Sequence, residues 1–251
     1  MAVQVLYQAD ILLDGVAAST DMSKVRFSMN QVVKEVTAFG DVSRHAIPGI
    51  YETTVEGSFY YQTGSNMLVN LLEAEVGAGN LPTFSANVMS VGADQVVGNL
   101  VYITQGALAT LTHDGQHGEV LKGTFKYNGA NLGRAVQATR LLRAAQGAGT
   151  SASGTAINLG AVSATQAVYA ALNVIGATSG APAGTVFSII SSATSSMAAP
   201  TQRILFVTGT SARTGEWQNT AVGAITDIWW QARFSGYVGT GFTASISAGI
   251  Q

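Results

Sequence analysis

Apolar and polar residues alternate through long stretches of this chain, and this two-residue period constrains the fold more than any other feature. Between residues 51 and 62, one set of positions is mostly apolar and the intervening set is polar; the first set is Tyr51, Thr53, Val55, Phe59 and Tyr61. Such alternation is typical of a strand with one face in a core and the other in solvent. The same period recurs at 5–13, 25–33 and 121–127, so the first half of the chain predicts a β domain.

One segment of the first half has the period of a helix instead. Ser65 and Asn66 are good helix caps, and the apolar positions after them recur at three- and four-residue spacing; they are Met67, Leu68, Leu71, Leu72 and Val76. Gly77 is a typical residue for ending a helix. The sequence therefore predicts a single short helix that packs on the β domain.

A hairpin is predicted near residue 114. Asp114 and Gly115 follow a β-rich stretch and precede a predicted strand at 120–127. An Asp-Gly pair favours a tight hairpin turn, because both central residues of such a turn have positive φ. His113 and His117 would flank this tip, and the intervening Asp-Gly makes a helical two-histidine metal site the less favoured interpretation.

The second half repeats the strand pattern. Ile228, Trp230, Ala232 and Phe234 alternate with polar positions, and further short strands are predicted at 185–190, 203–208 and 242–246. Turn residues separate these segments, and 176–184 has the composition of a loop. Short strands at regular spacing are typical of a β-sandwich.

The charge distribution divides the chain. Residues 1–135 carry 12 acidic and 7 basic side chains, a net charge of −5, whereas residues 151–251 carry 2 acidic and 3 basic ones, a net charge of +1. The segment 144–154 (AAQGAGTSASG) has linker composition. We therefore predict a first domain at 1–143, a linker at 144–154 and a second domain at 155–251.

The low charge of the chain limits its possible partners. Only 10% of the residues are charged, against about 25% in an average soluble protein, so the surface is expected to be covered by other subunits. No apolar run is long enough for a transmembrane helix, and residues 1–10 lack the pattern of a secretion signal, which predicts synthesis in a cytosol. The net charge of −2 disfavours electrostatic nucleic-acid binding.

The sequence offers no constellation for catalysis. The chain has no cysteine and only three histidines, His45, His113 and His117, none beside a serine in a nucleophile motif. The carboxylate pairs Glu52 and Glu56, and Glu73 and Glu75, are typical of exposed strand and helix-end positions. We expect a protein that is not an enzyme and that needs no metal or cofactor.

Two stretches resemble a known family. The first runs from Thr37 to Arg44 (TAFGDVSR) and continues with Ile47 to Gly57 (IPGIYETTVEG), where a Thr-x-Phe-Gly-Asp element precedes an alternating strand. The second comprises 159–172 and 223–233. Both resemble, in this order, the major tail tube proteins of long-tailed bacteriophages.

The resemblance implies a fold and a function. The fold would be mainly β, a tail-tube β-sandwich with one short helix followed by a second β-sandwich domain. The chain would form stacked, usually hexameric, rings in the virion tail, assembled in the host cytoplasm, with double-stranded DNA passing through the channel during genome ejection. Its partners would be copies of itself and the tape measure, tail tip and terminator proteins. The implied assembly motif comprises Thr37, Phe39, Gly40, Asp41, Arg44 and Gly49.

Two further interpretations remain open from the residues alone. The low charge and sandwich pattern of the second half, with Trp229 at an outward position, also fit a carbohydrate-binding or adhesion module, because an exposed indole stacks on sugar rings or anchors an interface. A capsid decoration protein would share the same composition. If the chain forms a tube, the acidic first domain is the half that we expect to line the channel, since a basic wall would retain DNA.

Overall fold

The described part of the protein is mainly β with one helix, which confirms the predicted fold class. The computed structural model describes residues 10–19, 21–35, 46–61, 67–78, 81–87, 97–129, 135–146, 151–175, 185–207, 214–236 and 242–251. Its elements are β1 (Asp10–Leu13), β2 (Val16–Ala17), β3 (Met22–Glu35), β4 (Ala46–Tyr60), α1 (Met67–Glu75), β5 (Thr83–Asn87), β6 (Leu100–Asp114), β7 (Lys122–Gly129), β8 (Val136–Gln146), β9 (Ser151–Ser153), β10 (Ile157–Asn158), β11 (Val168–Ile175), β12 (Val186–Ser192), β13 (Thr201–Phe206), β14 (Thr214–Asn219), β15 (Trp229–Ser235) and β16 (Phe242–Ile250).

The chain divides into two compact units that differ from the predicted domains. Unit 1 comprises residues 1–20, 82–104 and 136–251, and unit 2 comprises 21–81 and 105–135. The segment predicted as a linker, 144–154, begins inside β8 and ends just after β9, with 147–150 outside the described residues. The reason is the pairing of β8 with β16, which joins residues on both sides of that segment in one sheet.

Unit 1 contains a β-sandwich around an apolar core. One sheet has the order β14-β11-β16-β8-β6-β5-β1-β2, and a second has the order β10-β15-β12-β13, with β9 also paired to β15. The core takes side chains from β8, β11 and β16 of the first sheet and from β12, β13 and β15 of the second. The alternation in β15 is as predicted, because Trp230, Ala232 and Phe234 are fully buried. Burial of one such aromatic side chain stabilises the fold by about 1.5–3 kcal/mol.

Unit 2 is an antiparallel sheet of the order β3-β4-β7-β6 with α1 beside it. The helix lies where the sequence predicts it, and Gly77 follows it with a φ of +78°. Leu68, Val69 and Leu72 of the helix are buried, and the hydroxyl of Tyr127 on β7 donates a hydrogen bond to the Glu75 carboxylate at the helix end. This contact fixes the helix on the sheet face that carries Tyr127.

The hairpin between β6 and β7 is present, but its turn is longer than the sequence indicates. Asp114 pairs directly with Lys122, so the loop spans 115–121 and β7 begins two residues later than predicted. The tight turn lies within this loop, where the Glu119 amide donates to the Gln116 carbonyl at 3.0 Å. Gly118 has a φ of +88° in this turn, a conformation in which glycine is favoured.

A polar cluster ties the loop before β15 to the second sheet of unit 1. The Ser191 hydroxyl donates to Asp227 Oδ2 at 2.6 Å and accepts from Arg203 Nε at 2.8 Å, while Arg203 Nη2 lies 2.9 Å from the same carboxylate oxygen. The Ser191 hydrogen bond and then the Arg203 guanidinium hold the pKa of Asp227 below its ordinary value of 3.8. The charged carboxylate is therefore the form that stabilises the fold.

We expect the substitution Asp227→Asn to lower the free energy of unfolding at pH 7 by about 1 kcal/mol, because it weakens two charge-assisted hydrogen bonds. A lowered folded-state pKa contributes stability that is present above pH 4 and is lost as the pH falls through the folded-state value. Urea denaturation at pH 7 and at pH 3 will measure both effects. The difference between the variant and the wild type should shrink at pH 3; a constant difference would contradict this account.

Candidate assembly surface

The two faces of the unit 2 sheet differ in character. Val55, Phe59, Phe125 and Tyr127 lie on one face and are buried, and this is the face on which α1 packs. Residues that oppose one another in an antiparallel pair project from the same face, so the intervening residues form the other face. That face, named here the polar face, carries charged or hydroxyl side chains that include Lys24, Arg26, Glu56, Ser58, Thr110, Thr112, Asp114, Lys122, Thr124 and Lys126.

Charges on the polar face are arranged in rows across the strands. Arg26 on β3 is directly opposite Glu56 on β4, and Glu56 is directly opposite Lys126 on β7. Lys126 Nζ lies 3.9 Å from Glu56 Oε1, and both side chains are about two-fifths exposed, at 40% and 43%. We name these three residues the charged row.

The hairpin of β3 and β4 extends beyond the other strands of unit 2. The last pair between β4 and β7 is Thr54 with Asn128, whereas pairing between β3 and β4 continues to Glu35 and Ala46. Residues 29–35 and 46–53 therefore form an arm that projects about 23 Å past the sheet at the normal rise of a strand. Its exposed apolar side chains include Met29, Val33 and Tyr51, at 51%, 59% and 46% exposure.

The opposite end of the same sheet also exposes apolar side chains. Tyr60 ends β4, and Val120 and Leu121 lie in the loop between β6 and β7; each of the three is 40% exposed or more. Lys122 Nζ lies 5.9 Å from the centre of the Tyr60 ring. We name Tyr60, Val120 and Leu121 the loop patch. Apolar groups exposed together at an element end are typical of an interaction surface.

In the described part of unit 2, the strand order ends with β3 on one side and with residues 106–114 of β6, which pair with β7, on the other. β6 also has β8 and β5 as neighbours in the first sheet. All pairs in this sheet are antiparallel, so with four strands the two edges run in opposite directions. An uncovered edge presents a row of backbone donors and acceptors to another chain.

Most of the assembly motif inferred from the sequence lies outside the described residues, namely Thr37, Phe39, Gly40, Asp41 and Arg44. Gly49 lies in β4, within the arm and next to an irregularity in the pairing with β3 between Gln31 and Val33. In the sequence, the motif therefore lies between the two strands of the arm and extends into the second one. Its role stays a prediction.

Trp229 begins β15 in unit 1 and is half-buried. It lies opposite Asn158 of β10 and Ser192 of β12, on the face of the sheet away from the core. Its neighbour Trp230 points into the core and donates its indole N–H to the Gly160 carbonyl at 3.0 Å. The predicted contact role of Trp229 stays a prediction.

The structure describes two of the three histidines. His113 is the last residue but one of β6 and forms a hydrogen bond with the Tyr61 hydroxyl, and His117 lies in the loop after β6. His45 is outside the described residues. Among the described ranges, no group of three or more metal-ligating side chains occurs. No described helix is long and apolar enough to cross a bilayer.

Sequence reasoning missed the surfaces that the structure brings together. The outward positions of Glu56 and Lys126 follow from the two-residue period, but their pairing depends on strand register, which the period does not specify. The exposure of Met29 and Val33 depends on where β7 ends. The unequal lengths of the predicted strands were the one available signal for an arm.

Comparison of this chain with known proteins finds similar chains among solved structures. No family model matches the chain, and no curated protein is similar to it. A virion of a native gene transfer agent particle contains a chain that is 12% identical and matches 51% of this chain and 95% of its own length, with a TM-score of 0.39. The SPP1 tail tube protein is 10% identical over 52% of this chain and 76% of its own, with a TM-score of 0.38.

A third likeness covers more of the chain. The SPP1 Dit protein, described as a hub of the adsorption apparatus in phages that infect Gram-positive bacteria, is 9% identical over 97% of this chain and 99% of its own, with a TM-score of 0.33. Two of these three structures are of phage proteins, and a phage protein family is what the sequence resembles.

Proposed function

We propose that the chain is a structural virion protein whose copies form stacked rings, six to a ring, that build the tube of a phage tail and enclose the channel for double-stranded DNA. The observation that carries this proposal is the four-stranded sheet of unit 2, with a long arm at one end and two edges that run in opposite directions. The family resemblance of residues 37–57 supports the same conclusion, and the chain acts through its surfaces rather than through catalysis.

The direction of the edges supports ring formation. When β3 of one copy lies beside β6 of the next, the two strands run antiparallel, as all other neighbours in the sheet do. A contact between two different edges is heterologous, so its repetition closes into a ring when the rotation per copy divides a full turn. Closure leaves no free edge in the assembly, which removes the aggregation hazard of the isolated sheet.

The width of such a barrel sets a lower limit on the number of copies. Six copies with four strands each would give 24 strands; at about 4.8 Å between strands and a tilt of about 40°, the backbone barrel would be about 48 Å across. Side chains would leave an opening of roughly 35 Å, which admits a DNA duplex. Three copies would give a backbone diameter of only about 24 Å, which does not.

The arm and the loop patch suggest how rings stack. Strands in a barrel run along its axis with a tilt, so the arm would extend from one ring toward the next. The loop patch lies at the other end of the same strands, where the arm of a neighbouring ring would arrive. Val33 and Met29 would then be covered by Val120 and Leu121, which would bury four exposed apolar side chains in one contact.

The two faces of the sheet suggest which one lines the channel. The face under α1 is occupied, so the polar face would point to the channel. The sequence predicts an acidic or neutral wall; in the charged row one carboxylate lies between two cations, which lowers the net charge of the row from +2 to +1. Double-stranded DNA would then pass without being held.

Negative-stain electron microscopy of the purified and concentrated protein tests the proposal. We expect tubes of stacked rings whose axial class averages show sixfold symmetry and a central hole wide enough for duplex DNA. A second condition adds tail tip proteins, which tests whether assembly needs an initiator complex. Persistent monomers under both conditions would contradict the tube function.

A further inference from the structure

The charged row contributes little to the stability of the fold. Exposed ion pairs typically contribute about 0–1 kcal/mol, and Glu56 and Lys126 are both about two-fifths exposed. The arrangement nevertheless places one carboxylate directly between two cations, on a face that also carries hydroxyl groups and the further cations Lys24 and Lys122. Its main physical effect is on the electrostatic potential over the polar face.

We propose that Glu56 weakens the binding of the polar face to the phosphate backbone of double-stranded DNA by offsetting part of the positive charge of Arg26 and Lys126. The proposal rests on the channel function given above and assigns the non-adhesive property of the wall to one residue. Arg and Lys side chains bind phosphate oxygens and release counterions from the duplex. A carboxylate between the two cations repels phosphate and offsets their charge within a few ångströms, well inside the Debye length at physiological salt.

The surface around Glu56 has the other features of a phosphate site. A depression of about 260 Å³ lies beside the row and is lined by Lys24, Glu56, Gly57, Ser58, Thr110, Thr124, Phe125 and Lys126. Two of these side chains are amines and three carry hydroxyl groups, the donors that phosphate oxygens accept in protein complexes. Glu56 is the one carboxylate in that lining. Without its charge, the depression would present cations and hydroxyl groups to a passing phosphate.

A second row repeats the arrangement at the end of the sheet. Lys122 on β7 lies directly opposite Asp114 on β6, so this cation also has a carboxylate beside it on the same face. Together the two rows hold three cations and two carboxylates, so the carboxylates offset most of the positive charge in these rows. Glu56 is the more consequential residue, because it faces two cations rather than one.

The substitution Glu56→Gln tests the proposal on the full chain. It keeps the side-chain length and hydrogen-bonding capacity but removes the charge. We expect the variant to bind a short DNA duplex on the order of fivefold more tightly than the wild type at low salt, with a salt dependence steeper by about one unit. Elution from a column of immobilised duplex DNA by a salt gradient, and fluorescence anisotropy with a labelled duplex, measure the two quantities.

Glu73→Gln is the matched control. Glu73 is exposed on α1, which covers the opposite face of the sheet, so the substitution changes the net charge equally but leaves the polar face intact. The double variant Glu56→Gln/Lys126→Gln should return binding toward the wild-type value. If Glu56→Gln elutes together with Glu73→Gln, the proposal is wrong.

The outcome is independent of tube assembly. DNA binding by the variants reports on the polar face whether or not rings form, while electron microscopy reports on rings. Tubes with unchanged DNA binding in Glu56→Gln would overturn the role of Glu56 and leave the tube function standing. If Glu56→Gln binds DNA more tightly but the wild type never assembles, the tube function is wrong and the role of Glu56 in offsetting the charge stands.

Discussion

Replacing Asp10 by Ala is expected to destabilise unit 1 by about 3–5 kcal/mol, the cost of removing one partner of a buried ion pair. Asp10 Oδ2 lies 2.7 Å from Arg140 Nη2, and Oδ1 lies 3.6 Å from Arg143 Nη2. The Arg140 side chain has no exposed surface and Asp10 is 5% exposed. Burial lowers the pKa of both arginines, and the Asp10 carboxylate opposes that effect. Without the carboxylate, two charged guanidinium groups would remain in the interior.

Thermal and urea unfolding of Asp10→Ala and the wild type will measure the loss. Asp114→Ala is the matched control, because Asp114 is exposed at the end of β6 and the same substitution there should change the free energy of unfolding by less than about 0.5 kcal/mol. The double variant Asp10→Leu/Arg140→Met should lose less stability than Asp10→Ala, since a buried ion pair can be replaced by apolar groups of similar size. A cost for Asp10→Ala below about 1 kcal/mol would contradict the assigned role.

Local features of the fold could be predicted from the sequence. The helix at Met67–Glu75 follows from its caps and apolar spacing, and Gly77 has the positive φ expected of a residue that ends a helix. The buried face of β15 follows from alternation, because β15 has one side in the core and the other partly exposed. These signals involve residues that are neighbours in the chain.

Alternation did not predict burial correctly in strands whose two faces are both covered or both exposed. The pattern in β3 predicts that Met29 and Val33 point into a core, but both are exposed, because β3 extends past β7 into the arm. In β1 the pattern assigns Ile11 and Leu13 to one face, yet Leu12 on the other face is equally buried. A two-residue period cannot show whether both faces of a strand are covered, or whether neither is.

Contacts between distant residues could not be predicted at all. Asp10 and Arg140 are unremarkable charged residues in the sequence, and only the fold brings them together. The same applies to Arg26, Glu56 and Lys126, which come from three strands and meet through strand register. The division into the two compact units could not be predicted for the same reason, since the pairing of β8 with β16 joins chain segments that differ in composition.

Replacing Val33 by Glu is expected to abolish tube formation and to leave the fold of the chain intact. The Val33 side chain is 59% exposed in the isolated chain, so a carboxylate there remains hydrated and costs little. In the proposed stack the same side chain is covered by the loop patch of the next ring, where an unpaired carboxylate would cost several kcal/mol for every copy. Electron microscopy under conditions in which the wild type assembles, together with thermal unfolding, measures both parts of this prediction.

Val222→Glu is the matched control, because Val222 is 64% exposed and lies in unit 1, away from the arm and the loop patch in the chain. The same change of residue and of charge should leave tube formation unaffected there. Val120→Glu, in the loop patch, should reproduce the defect of Val33→Glu, because the two side chains would face each other across one contact. Normal tubes from Val33→Glu would exclude the arm as the stacking contact, while a defect in Val33→Glu alone would place the partner of the arm on another surface.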